Sequence, residues 1–209
     1  MKVLLLSPHT DDVELGCGGS LARLLDEGNE VQWAVFSTAE DSLPEGMPKD
    51  TLLQEYLQVL GTYGLTKDDA RIMRYKVRGL HLHRQDILDK MIEMRDKFRP
   101  DLVIGPSLND YHQDHQIVAN EMVRAFKTSS SIISYELPWN HVRFDTQLFV
   151  RLEPFHIEKK WKALQNYRSQ LQKGKDYFSR DFVFGVAKMR GVQCSSEYAE
   201  AFEVTRWRI

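Results

Sequence analysis

Two short stretches of this chain gather the side chains that do metal and proton chemistry. The first is Pro8-His9-Thr10-Asp11-Asp12-Val13-Glu14, with one imidazole and three carboxylates within six residues. The second is Asn109-Asp110-Tyr111-His112-Gln113-Asp114-His115, whose two histidines stand three apart. Imidazole with carboxylate is a ligand pair that suits Zn²⁺. In the first turn of a helix, His112 and His115 face the same side, and Asp114 is near enough to hydrogen-bond an imidazole and fix its tautomer. His9, Asp12 and one of the two later histidines would supply three ligands and leave a fourth position for water, the pattern of a catalytic zinc. The plainer readings are a helix cap for the first stretch and solvated residues at a helix start for the second. One cap does not require four polar groups, and two such loops in one chain favour a site.

The elements around these loops set the expected geometry. Val3-Leu4-Leu5-Leu6 is a run of apolar residues that reads as a strand buried on both faces. Gly16, Gly18 and Gly19 are expected to turn the chain into a helix over Ser20–Gly28, followed by a strand over Val31–Ser37. A strand–helix–strand unit forces parallel pairing. Helical spacing recurs over Leu52–Leu60, Arg84–Phe98 and His112–Phe126, with strands expected at Ile72–Val77, Leu102–Ile104 and Ser131–Tyr135. Further on, the pattern predicts a strand at Gln147–Leu152, helices over Ile157–Gln172 and Tyr177–Met189, and an edge strand at Ala201–Trp207. The fold class is therefore α/β, a three-layer sandwich on a mostly parallel sheet, with one domain over residues 1–209. Both chemical loops follow buried strands, so a parallel sheet puts them at one edge, where ligands bind. Glu136, Trp139 and Asn140 follow the Ser131–Tyr135 strand and should open onto the same edge. A tryptophan face suits a sugar ring, and Glu or Asn suits its hydroxyls.

Composition narrows the class further. Lys and Arg total 28 against 30 Asp and Glu, a formal charge of -2, without a basic block. That argues against nucleic-acid binding. No apolar run approaches the roughly 20 residues that span a bilayer, and no secretory leader is apparent. With only Cys17 and Cys194 there is no disulfide framework, and the reading is a cytoplasmic protein without a membrane partner. Gly16-Cys17-Gly18-Gly19-Ser20-Leu21 weakly suits a nucleotide-binding protein without hydrolytic activity, but it lacks the last glycine of G-x-G-x-x-G.

The Pro8–Asp12 stretch with Gly16-Cys17-Gly18-Gly19, and His112-Gln113-Asp114-His115, resemble the two signature motifs of the zinc-dependent N-deacetylases of the GlcNAc-PI de-N-acetylase-like and LmbE-like (PIG-L) family. The resemblance extends to Arg84-Gln85, Glu136 to Asn140, Tyr167 to Gln170 and Tyr198 to Glu203. It implies a Rossmann-like fold and zinc, or another divalent metal, held by His9, Asp12 and His115. It also implies Asp11 as general base, His112 as the group that stabilises the oxyanion or protonates the leaving amine, and Asp114 as its partner. The implied activity is hydrolysis of the N-acetyl group of an amino sugar or its conjugate, and the implied assembly a homo-oligomer. Two departures stand out: Thr10 replaces a common proline, and residues 39–70 contain no arginine where many members hold substrate with one.

Overall fold

The computed structural model describes residues 1–208. β1 (Lys2–Ser7) leads through a tight loop into α1 (Asp12–Asp26) and then β2 (Glu30–Val35). α2 (Thr51–Tyr63) and β3 (Ala70–Ile72) complete one half of the sheet. α3 (Arg84–Phe98) returns the chain to β4 (Leu102–Pro106), α4 (Gln113–Phe126) and β5 (Ser131–Tyr135). β6 (Leu148–Leu152), α5 (Pro154–Leu164), the one-turn α6 (Arg168–Leu171), α7 (Arg180–Gln193) and β7 (Tyr198–Arg206) follow.

The sheet has seven strands in the order β3-β2-β1-β4-β5-β7-β6. The pairings from β3 to β5 are parallel, and β7 runs antiparallel to both of its neighbours. Val3 and Leu5 pack with residues of α1, α2 and α5, while Leu4 and Leu6 pack with α3 and α4. Helices on both faces explain why the first strand is apolar without alternation. The chain winds from β1 to β2 on one side and returns to β4 on the other. The carboxyl ends of β1 and β4 therefore flank the switch point where an open α/β sheet forms its ligand crevice. Among the described residues no helix is long and apolar enough to cross a membrane.

Several expectations are corrected. α1 begins at Asp12, not near Ser20, and kinks at Cys17, whose φ is -147°. Its glycines serve close packing instead of a turn: a Cβ on Gly16 would lie 2.5 Å from Tyr135 Cδ2, and one on Gly19 2.5 Å from Leu152 Cδ1. The strand expected to reach Val77 stops at Ile72. The helix expected over Ile157–Gln172 breaks after Leu164, where the Asn166 amide donates to the carbonyls of Lys162 and Ala163 and competes with the backbone for them. The helix expected over Tyr177–Met189 starts at Arg180, capped by Ser179 Oγ, which accepts from the Phe182 N–H. β7 is not an edge strand, since it lies between β5 and β6.

Candidate metal centre

The loop after β1 is short because Asp11 is the N-cap of α1 and Asp12 its first residue. The backbone N–H of His9 donates to Asp12 Oδ2 at 2.6 Å, which turns that carboxylate back toward the sheet. The loop after β4 ends at His112, which caps α4 in an extended conformation. One helical turn on, His115 points at the first loop. His9 Nδ1 lies 3.2 Å from Asp12 Oδ2 and 3.2 Å from His115 Nε2. His115 Nε2 lies 3.3 Å from Asp12 Oδ1. Ligands bound at the usual zinc distances in a tetrahedron stand about 3.3 Å apart, so these three groups already have the spacing a divalent ion requires. His112 is close by, and one ring nitrogen from each of His9, His112 and His115 falls within 4.8 Å of the others.

Two further carboxylates fix the imidazoles. Asp114 Oδ2 meets His9 Nε2 at 3.0 Å, and Asp110 Oδ2 meets His115 Nδ1 at 2.7 Å. In a neutral ring, a proton kept on the nitrogen that meets the carboxylate leaves the other nitrogen free to face the common point. This corrects the expected pairing of Asp114 with His112. The helix turns the Asp114 side chain in toward the β1 loop, and only its backbone N–H reaches His112, donating to Nδ1 at 3.2 Å. Asp110 was not singled out from the sequence. The available signal was a carboxylate five residues before His115.

The electrostatics follow from burial against pairing. Burial opposes protonation of His9 and His115, but Asp12 outweighs it, aided by hydrogen bonds to Asp114 for His9 and to Asp110 for His115, and holds them at about 9 and about 10. Burial opposes ionisation of Asp12, and the two histidines overcome it, holding that carboxyl well below the usual range. Asp11 has no such partner: burial, then the charge of Asp12, push it up to about 6. His112 is lowered to about 4 by burial and by repulsion from His115 and His9.

These groups form the floor of a cavity of about 260 Å³ whose walls include Trp139, Asn140, Tyr177, Gln170 and Lys173. Trp139 stacks on Tyr177 with ring centroids 4.1 Å apart and planes at 11°. Glu136 does not join them. Arg190 binds both of its carboxylate oxygens, and it lines a separate, smaller cavity beside Leu15 and Gly16. His81 and His83 stand exposed on a turn outside the pocket, and Cys17 is fully buried with its thiol pushed up by burial.

A Rossmann-like sheet with an imidazole–carboxylate cluster at its switch point defines a class of proteins that bind a small ligand at that edge. The sequence model of the PIG-L family, described as GlcNAc-PI de-N-acetylase, matches residues 4–126, a span that contains both loops, and the chain belongs to that family. It is 27% identical over 175 residues to the uncharacterized deacetylase YaiS of Escherichia coli (strain K12), covering 80% of this chain and 90% of that one. Among solved structures it resembles N,N'-diacetylchitobiose deacetylase from Pyrococcus horikoshii, with TM-score 0.78, 21% identity, and 98% of this chain and 83% of that one covered. It resembles equally GalB, the 4-carboxy-2-hydroxymuconate hydratase of Pseudomonas putida KT2440, with TM-score 0.79, 19% identity, and 100% and 97% covered. One fold thus carries a deacetylase and a hydratase, and the reaction of this chain must be read from its site.

Proposed function

We propose that this protein is a zinc-dependent N-deacetylase that hydrolyses the acetamide of an amino sugar or sugar conjugate. Membership of the family and the deacetylase relatives support hydrolysis of an N-acetyl group. The observation that carries the finer reading is the pairing of unlike carboxylates. Asp12 faces two imidazoles, while Asp11, next to it on the same pocket floor, is raised by burial toward neutral pH.

His9, Asp12 and His115 would hold the ion, and another divalent metal would fit the same donors. When bound, such an ion supplies Lewis acidity to a carbonyl oxygen and lowers the pKa of a water. Asp11, not engaged with either histidine, takes the proton of the attacking water. His112 Nδ1 accepts from the Asp114 N–H, so the proton of the neutral ring sits on Nε2. Its lowered pKa keeps the ring neutral, and a neutral donor of this kind stabilises an oxygen on which negative charge develops. Trp139 and Asn140 contact the sugar.

The test is metal analysis together with turnover of a panel of N-acetylated sugars by Asp11→Asn and Asp12→Asn. Removing a general base costs roughly 10²–10⁴-fold in rate, so Asp11→Asn is expected to keep its metal and lose kcat by that order. Asp12→Asn is expected to lose metal, with activity partly restored by added zinc. The reverse pattern exchanges the two roles. Unchanged turnover in both variants, or none by the parent protein on any N-acetylated compound, refutes the deacetylase reading.

A further inference from the structure

One cation stands in the pocket without a role so far. Lys173 follows α6 in a tight turn closed by Gly174, whose φ is +60°, and it is the one Lys or Arg among the described residues lining the cavity. Its Nζ donates to the Ser42 carbonyl and, at 2.7 Å, to Gln170 Oε1. Both acceptors are neutral, and among the described residues no carboxylate oxygen lies within 4.0 Å of it. The fully buried lysine is handled differently, since Lys160 meets Glu200 at 2.6 Å. An ammonium has three donors. On Lys173 two are spent in fixing Nζ against the β2–α2 loop and α6, which leaves one N–H and a half-buried charge without a directly paired carboxylate at the cavity wall. The same β2–α2 loop contains no arginine, so Lys173 is also the one lysine or arginine that the pocket sets near Asp11. A substrate anion entering a crevice with the Asp11 carboxylate on its floor is favoured by such a cation, which offsets the repulsion.

Resting on the deacetylase reading, we propose that Lys173 determines specificity by binding an anionic group, phosphate or carboxylate, on the part of the amino sugar remote from the acetamide. The preferred substrate is then a negatively charged N-acetylated sugar and not a neutral one.

The experiment compares N-acetylglucosamine, its 6-phosphate, its 1-phosphate and N-acetylmuramic acid in kcat/KM, and in parallel measures binding of the same four compounds calorimetrically to the metal-loaded protein. The parent protein is expected to favour at least one charged sugar by about 10- to 100-fold, the scale of one charge-assisted hydrogen bond, chiefly through KM. In Lys173→Gln that ratio should collapse toward one, and Lys173→Arg should restore part of it. The phosphate and carboxylate arms show which anion the subsite takes. Turnover without preference for charge overturns the subsite and leaves the deacetylase intact. Charge-selective binding that Lys173→Gln abolishes, without turnover of any compound, keeps the subsite and removes the deacetylase. A charge preference that persists in Lys173→Gln, or no binding of any of the four, overturns the proposal.

Discussion

Asp110 offers the sharpest test of how the site is assembled. Its carboxylate is almost fully buried and serves two donors: Oδ2 meets His115 Nδ1 at 2.7 Å and Oδ1 accepts the His112 N–H at 2.8 Å. With the ring neutral, as a metal ligand must be, a proton held on Nδ1 leaves His115 Nε2 free toward His9 and Asp12. Asparagine has the same shape but one acceptor, so Asp110→Asn must abandon one of the two contacts. Losing such a partner of a metal-bound imidazole typically costs 10- to 100-fold in affinity, about 1.4–2.8 kcal/mol. Asp114→Asn should weaken metal binding to the same degree through His9. It should also lower the stability of the metal-free protein by about 1–3 kcal/mol, because Asp114 accepts the backbone N–H groups of Arg78 and Leu80 as well. Arg78 sits at φ +65°, a conformation that needs such support. The assay is competition for zinc against a chromophoric chelator at fixed pH, with denaturant melts in chelator to separate affinity from folding. Zinc affinity unchanged in Asp110→Asn would show that the carboxylate does not set the ring's tautomer, and the account of the centre would fail at that point.

Two further tests concern the frame that holds α1. Glu200 accepts the Gly19 and Ser20 N–H groups just after the kink and pairs with Lys160 at 2.6 Å, with both side chains buried. Lys160→Met should cost about 3–5 kcal/mol, or about 6–20 °C in Tm, and a loss under about 1 kcal/mol in a thermal melt would show that the charge finds another partner or water. Gly16→Ala should destabilise by about 1–3 kcal/mol or more through the clash with the Tyr135 ring. Gly61→Ala, in a helix with nothing within 4 Å of the added Cβ, should be neutral or stabilising by up to about 1 kcal/mol. Equal effects at the two glycines would refute the close-packing role given to Gly16.

Legibility followed the range of the interactions. The β1 run Val3–Leu6 and the strands at Leu102 and Ser131 announce a doubly covered sheet by composition alone, and parallel pairing then brings two distant loops together. What was misread depends on partners far away in sequence. The edge strand expected at Ala201–Trp207 is held between β5 and β6, neither of them its neighbour in sequence. Glu200 pairs there with Lys160, and Glu203 accepts hydrogen bonds from Ser107 and Asn109. The glycines of α1 read as a turn because nothing local reveals the Tyr135 and Leu152 side chains that require them. The sequence pairs Asp114 with its neighbour His112, whereas the imidazole it holds is 105 residues away. Lys173 carries no motif at all, and only the turn before Gly174 brings it to the pocket.

The most informative contrast in the molecule lies between two neighbouring residues of identical type. Asp12 is buried and Asp11 half-buried, and the two differ further in what faces them. Asp12, at the first position of α1, is met by two imidazoles and by the His9 N–H, so its charge is compensated and its geometry fixed. Asp11, one residue earlier, caps the helix without a side-chain hydrogen bond and feels the charge of Asp12 beside it. A carboxylate of the first kind makes a good metal ligand and a poor base, because its lone pairs are engaged. One of the second kind is a poor ligand for the same ion and a good base, because its proton affinity is raised toward neutral pH and its oxygens are free. Pairs of titratable groups driven apart in this way are how one fold separates binding from proton transfer. On the proposed roles, the separation would follow from the adjacent positions of Asp11 and Asp12 at the start of α1, both lining one cavity.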